Sequence, residues 1–233
     1  MIFRLLNGFH VYICAMLIKE VTALFKKELI LEWRQKYALN GILLYVVSTV
    51  FISYLSFKSI DEITWNALYW IIMLFSAVNA VAKSFIQESS GRQLYYYTLA
   101  SPEAIILSKM LYNTLLMLVL ATLGYTVYSL VLGNPVGDQG LFIVNMLLGA
   151  VGFSACLTMV SAIASKAGNN ATLMAILSFP VIIPILLMVI RVSKNAMDGI
   201  DRDLSMDKLL TLIAINAIVS VVSFMLFPYL WRS

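Results

Sequence analysis

Several long stretches of this chain carry no charged side chain, among them 20 residues over 63–82 and 28 residues over 110–137, and they constrain the fold more than any motif does. An α-helix rises about 1.5 Å per residue, so about 20 apolar residues cross the roughly 30 Å hydrocarbon layer of a bilayer. A buried helix of a soluble protein is shorter and keeps a polar face. The bulk numbers agree: 61% of residues are hydrophobic, 12% are charged, and the mean hydropathy is +0.91. The chain therefore reads as an all-α integral membrane protein.

Six spans are predicted, at about 39–57, 63–82, 105–132, 141–164, 171–190 and 209–229. Turns separate them at KSIDE after Phe57, at GNPVGDQG over 133–140 and at SKAGNN after Ala164. Residues 191–208, with four basic and four acidic side chains, read as a solvated loop that allows a short surface helix around Ile200, Leu204 and Leu209. Six spans put both termini on one side. With the termini inside, eleven Lys and Arg lie inside: six before the first span, Lys83, Arg92, Lys109, Lys166 and Arg232. Five lie outside: Lys58, Arg191, Lys194, Arg202 and Lys208. The asymmetry predicts an N-in, C-in topology. Tyr37, Tyr54, Trp65 and Trp70 lie towards span ends, as an aromatic belt does. The fourth span carries Gly149, Gly152, Ser154, Ala155, Cys156, Thr158, Ser161 and Ala162, and such small residues let other helices approach, which predicts a central position. Pro180 and Pro184 are predicted helix kinks in the fifth span: either tolerated bends or a broken helix beside a pathway.

Residues 1–18 read as an interfacial arm or an N-terminal extension, with no small-x-small cleavage site that would suggest a removed signal peptide. Residues 19–36, KEVTALFKKELILEWRQK, read as an amphipathic surface helix. Val21, Leu24, Phe25, Leu29, Leu31 and Trp33 share an arc opposite Lys19, Lys26, Lys27 and Arg34. Glu28 and Glu32 fall near the centre of that apolar arc. Four residues apart, they repel slightly and are costly in lipid, so they face either solvent or a basic partner in the bundle or in another chain.

The polar stretch from Lys83 to Lys109 is the exception in a greasy chain, with five charges, a glycine, a Ser-Pro and three consecutive tyrosines. Ser101 is predicted to cap a helix that begins at Pro102, with Glu103 suited to its positive end. Gly91 permits a sharp bend, Leu94 and Tyr95 offer packing area, and Glu88 is the charge predicted to be paired.

Known chemistries are missing from the motif inventory. The sequence has no GxxxxGK[ST], HExxH, GxSxG or CxxCH. The only histidine, His10, lies outside the spans, and no mid-span carboxylate suggests an ion relay. Cys14 and Cys156 form no paired motif. The net charge of +4 is spread over juxtamembrane positions, which argues against nucleic-acid binding. By elimination, transport would need energy from outside the chain.

The amphipathic KKELILEWRQK before the first span, FIQESSGRQLYYYTLASPEAIILSK after the second and FPVIIPILL in the fifth resemble the cytochrome c maturation protein B family over about residues 24–230. The hinge carries Arg-Gln after Gly91, where the family more usually has a smaller or acidic pair. The resemblance implies a single ABC-2-type transmembrane domain over 19–233 and a multi-pass protein of the bacterial inner membrane. It implies no enzyme activity and no cofactor in this chain, with ATP bound by a partner ATPase of the cytochrome c maturation protein A type. It further implies a second copy of the chain, haem-handling membrane proteins, a haem chaperone, and haem as candidate substrate. Glu28, Glu32, Glu88, Gly91, Leu94, Tyr95, Ser101 and Pro102 are then the predicted ATPase-coupling contacts. An ABC-2-type permease for a lipid, drug or saccharide, or a membrane scaffold without transport, are the alternatives.

Overall fold

Inside a bilayer no water pairs with the backbone, and a helix satisfies nearly every N–H and C=O within its own segment. Every regular element among the described residues takes this solution. The chain's structure, a computed structural model, describes residues 2–35, 37–57, 59–81, 83–86, 99–166, 171–200 and 202–232. The elements are α1 (Ile2–Gln35), α2 (Tyr37–Ser56), α3 (Glu62–Val81), α4 (Lys83–Ile86), α5 (Pro102–Leu132), α6 (Gln139–Lys166), α7 (Ala171–Met197) and α8 (Asp203–Arg232). Among the described residues five helices, α3 and α5 to α8, are long and apolar enough to cross a membrane, while α2 offers the shorter apolar stretch Asn40–Ser56.

The helix rich in small residues sits at the centre. Two thirds of the membrane-length window of α6 is buried, 67% against 22–44% in the other four, and it packs against α3, α4, α5, α7 and α8. Trp70 and Val189 pack so closely on Gly149 that a Cβ there would meet both at 3.0 Å. Gly152 receives Asn216 of α8, whose amide donates to the Leu148 carbonyl at 2.9 Å. Polar side chains hold the interior together elsewhere. Asn145 donates to the Val189 carbonyl and to Ser193 Oγ, both at 2.8 Å, and Trp70 Nε1 donates to the same hydroxyl at 2.8 Å. Hydroxyls without a cross-helix partner bond back to the carbonyl one turn earlier, as Ser76, Thr122 and Ser223 do. Cys156 is buried and free.

Three expectations change. First, the helix expected over 19–36 extends back to Ile2, which is compatible with either reading of residues 1–18. Asn7-Gly8 costs about 1 kcal/mol of helix propensity, and no proline interrupts the run. Second, two helices take up most of the loop expected at 191–208. α7 continues to Met197 and closes in a Schellman turn: Gly199 is at φ +63°, and Ile200 N donates to the Asn195 carbonyl at 3.1 Å. α8 already begins at Asp203, with Ser205 accepting from the Asn195 amide at 2.8 Å. Charge ends a span but does not end a helix. Third, Trp65 and Trp70 are fully buried, so neither belongs to a lipid-facing belt. Trp65 Nε1 donates to the Gly133 carbonyl at 3.0 Å, and its ring packs with Tyr69, Tyr128 and Phe142. Tyr54 is exposed, as a belt residue is.

α7 runs unbroken through Pro180 and Pro184. At the end of the bundle holding the Gly133 turn, Asp138 caps α6 by accepting from Leu141 N and binds Arg202 with both oxygens, at 2.6 and 2.9 Å. Lys166 donates to the Trp231 carbonyl at the other end, at 3.3 Å, joining α6 to the last turn of α8.

Candidate functional site

α5 spans about 46 Å, half again the hydrocarbon thickness. The uncharged stretch from Met110 to Leu132 is long enough to cross, which leaves the first two turns as a polar extension. Ser101 caps this extension with its Oγ, which accepts from Ala104 N at 3.4 Å; Pro102 opens the helix and Glu103 lies in its first turn. The cap is itself held. Glu20 of α1 accepts from both Ser101 N, at 3.0 Å, and Ser101 Oγ, at 2.7 Å.

Two turns further on lies Lys109, 3% exposed. A buried ammonium needs acceptors on several sides. Lys109 Nζ donates to the Ser84 carbonyl of α4 at 2.6 Å and to Glu28 of α1 at 3.3 Å, and it stands 4.8 Å from the centre of the Phe85 ring. Glu28 also meets Lys27 at 2.8 Å. Burial pushes the Glu28 carboxyl up, but Lys109 and Lys27 outweigh it and hold the group below its ordinary value. One turn on, Tyr112 OH donates to Glu32 at 2.9 Å. Asn113 then ties α4 to the central helix, donating to Ser84 Oγ at 3.1 Å and to Thr158 Oγ1 of α6 at 2.9 Å.

An apolar cluster seals this end. Phe85, Ile105, Ile106, Ala162, Phe227 and Trp231 pack together, with Leu24 of α1 against them. The polar segment between α4 and α5 is thus held at both ends. Its start is fixed by Lys109, Asn113 and Phe85, and its end by Glu20 through Ser101. Such an arrangement offers no nucleophile beside a base, and no group of three His, Cys, Asp or Glu that could hold a metal occurs among the described residues. Its contacts join the two ends of the segment to α1, α5 and α6.

The structure brings together four of the predicted coupling residues. Ser101 and Pro102 form the expected cap, and Glu28 and Glu32 face Lys109 and Tyr112 of their own bundle rather than solvent. The face of α1 turned inward is therefore centred on its carboxylates, and Trp33 and Leu29, expected on the apolar arc, are exposed. Glu88, Gly91, Leu94 and Tyr95 lie outside the described residues. The sequence reading gave no role to Glu20, Tyr112 or Asn113, and marked Lys109 only as the end of the polar stretch. Lys109 carried one available signal, being the last charge before a 28-residue uncharged run.

Every regular element among the described residues is a helix and five of them are long and apolar enough to cross a membrane, which defines the class of multi-pass membrane proteins. More specifically, the chain belongs to the CcmB protein family, whose model matches residues 19–229. Membership makes it a membrane permease for cytochrome c maturation. No curated protein matches the chain.

Proposed function

We propose that the chain is the permease subunit of an ATP-driven complex that serves cytochrome c maturation in the bacterial inner membrane. In this reading α2 is the sixth span, both termini face the cytoplasm, and two copies work with a separate ATPase. The ATPase engages segment 84–100 and the adjoining α1, and its hydrolysis drives haem export or the release of a haem-loaded chaperone outside the membrane, with haem-handling membrane proteins as further partners. The observation that carries the reading is the pair of anchors at the ends of the segment, Lys109 on the Ser84 carbonyl and Glu20 on Ser101. A connector with no mechanical duty has no need of a buried cation at its root. The small residues of α6 are occupied within the chain, so the second copy meets another surface.

The test is complementation of a strain that lacks the gene, scored by holo-cytochrome c, together with recovery of an ATPase on mild-detergent purification. Glu88→Ala and Gly91→Leu should insert normally yet reduce ATPase association or cytochrome maturation at matched protein levels. Asp61→Ala, which alters the cap of α3 at the opposite end, should leave both intact. Normal cytochromes in the deletion strain would point to a permease for another substrate. Full function without any ATPase would point to a scaffold.

A further inference from the structure

Lys109 serves two elements with one ammonium, and they are the two that flank the polar segment. Glu28 belongs to α1, and the Ser84 carbonyl belongs to the last helical turn before the segment. These contacts demand different things of residue 109. Glu28 needs a positive charge, whereas the Ser84 carbonyl needs a hydrogen-bond donor. Only a cationic donor placed on α5 meets both demands. Without it, Glu28 would be left with Lys27, and α4 would keep Asn113 and Phe85 but lose its shortest tie to α5.

We propose that Lys109 is a positioning residue that locks α1 and the root of segment 84–100 onto α5, so that the three move as one body. The proposal rests on the ATPase-coupled reading for its consequence, but the lock itself is a property of this chain alone. Glu20 on Ser101 and Tyr112 on Glu32 also tie α1 to α5, and Asn113 ties α4 to it, but Lys109 joins the two elements at one nitrogen. Joining both at one nitrogen makes displacement of the segment and displacement of α1 the same event.

The two demands can be separated by substitution. Glu28→Lys with Lys109→Glu restores an ion pair in reversed sense, but a glutamate carboxylate donates nothing to the Ser84 carbonyl. Lys109→Arg keeps both charge and donors. Glu28→Gln keeps an acceptor and removes the charge that draws α1 in. Docking is read by the rate at which a maleimide labels Leu24→Cys in α1 or Ser84→Cys in α4, in purified protein carrying Cys14→Ser; Cys156 is buried. Coupling is read by ATP turnover of the co-purified complex.

The reversed pair should label slowly at position 24 and about tenfold faster at position 84, with reduced turnover. Glu28→Gln should label faster at position 24 and also lose turnover, while Lys109→Arg should match the parent in every reading. Parent-level labelling at position 84 in the reversed pair, or parent-level turnover in either the reversed pair or Glu28→Gln, overturns the lock. If the purified parent carries no ATPase, the functional reading fails, and the two labelling rates still decide the lock.

Discussion

Gly152→Ala is a small substitution with a large expected cost. A Cβ at position 152 would clash with Asn216 Oδ1 and sit 3.2 Å from both Asn216 Cγ and Ile185 Cγ2. Asn216 is 6% exposed and is held by its 2.9 Å bond to the Leu148 carbonyl, so it yields only by giving up that bond. Such an interhelical hydrogen bond is worth about 0.6 kcal/mol on average in a membrane, and up to about 1.7. Overpacking adds about 1–3 kcal/mol, and alanine returns at most about 1 kcal/mol in helix propensity. The net expectation is a destabilisation of about 1–4 kcal/mol, or roughly 2–16 °C in unfolding temperature for a chain of this size. Thermal unfolding of purified protein, followed by loss of the monodisperse species, measures it. Gly41→Ala is the control, because nothing lies within 4 Å of the Cβ it would add, and it should be neutral or slightly stabilising. Combining Gly152→Ala with Asn216→Ala removes the obstructed amide, so the double variant should lose less than the sum of the two single losses. A Gly152→Ala protein that unfolds with the parent would refute the close approach of α6 and α8.

Topology gives a second prediction: reporters fused after Lys166 and at the C-terminus should report cytoplasm, and reporters within 195–203 the exterior. A cytoplasmic signal from that turn would reverse the orientation. The Asp138–Arg202 pair gives a third. Hydrogen bonds from Arg202 and from Leu141 N hold the Asp138 carboxyl at about 2, below its ordinary 3.8. Because the folded value is depressed, the contribution is fully present above about 4 and is lost as pH falls towards 2. Asp138→Asn keeps the cap acceptor without the charge, so its stability deficit should shrink across that interval; a deficit independent of pH would exclude the carboxylate as its source. Both partners meet water, so the deficit should be small and should fall further in high salt.

Local chemistry was legible in the sequence and distant pairing was not. The Ser101-Pro102 cap, the Gly133 turn and the central helix with Gly149 and Gly152 all follow from residues close together in the chain. Glu28 and Glu32 could be recognised as costly in lipid, but their partners lie 81 and 80 positions away, and no periodicity reaches that far. The tryptophans misled for a physical reason. An indole near a span end satisfies its N–H equally well at a lipid headgroup or at a carbonyl such as Gly133, and only packing distinguishes the two. The loop expected at 191–208 is longer than the one observed because charged residues mark only the end of a helix's apolar part, not the end of the helix.

The central claim is that segment 84–100 is where an ATPase engages this permease. A photo-crosslinking amino acid in place of Tyr95, introduced in membranes that contain the co-expressed ATPase, tests it most directly. The same amino acid in place of Asp61, at the opposite end of the bundle, serves as the reference. The account predicts an adduct of this chain with the ATPase from position 95 and none from position 61. No ATPase adduct from position 95, or equal adducts from both positions, would contradict it.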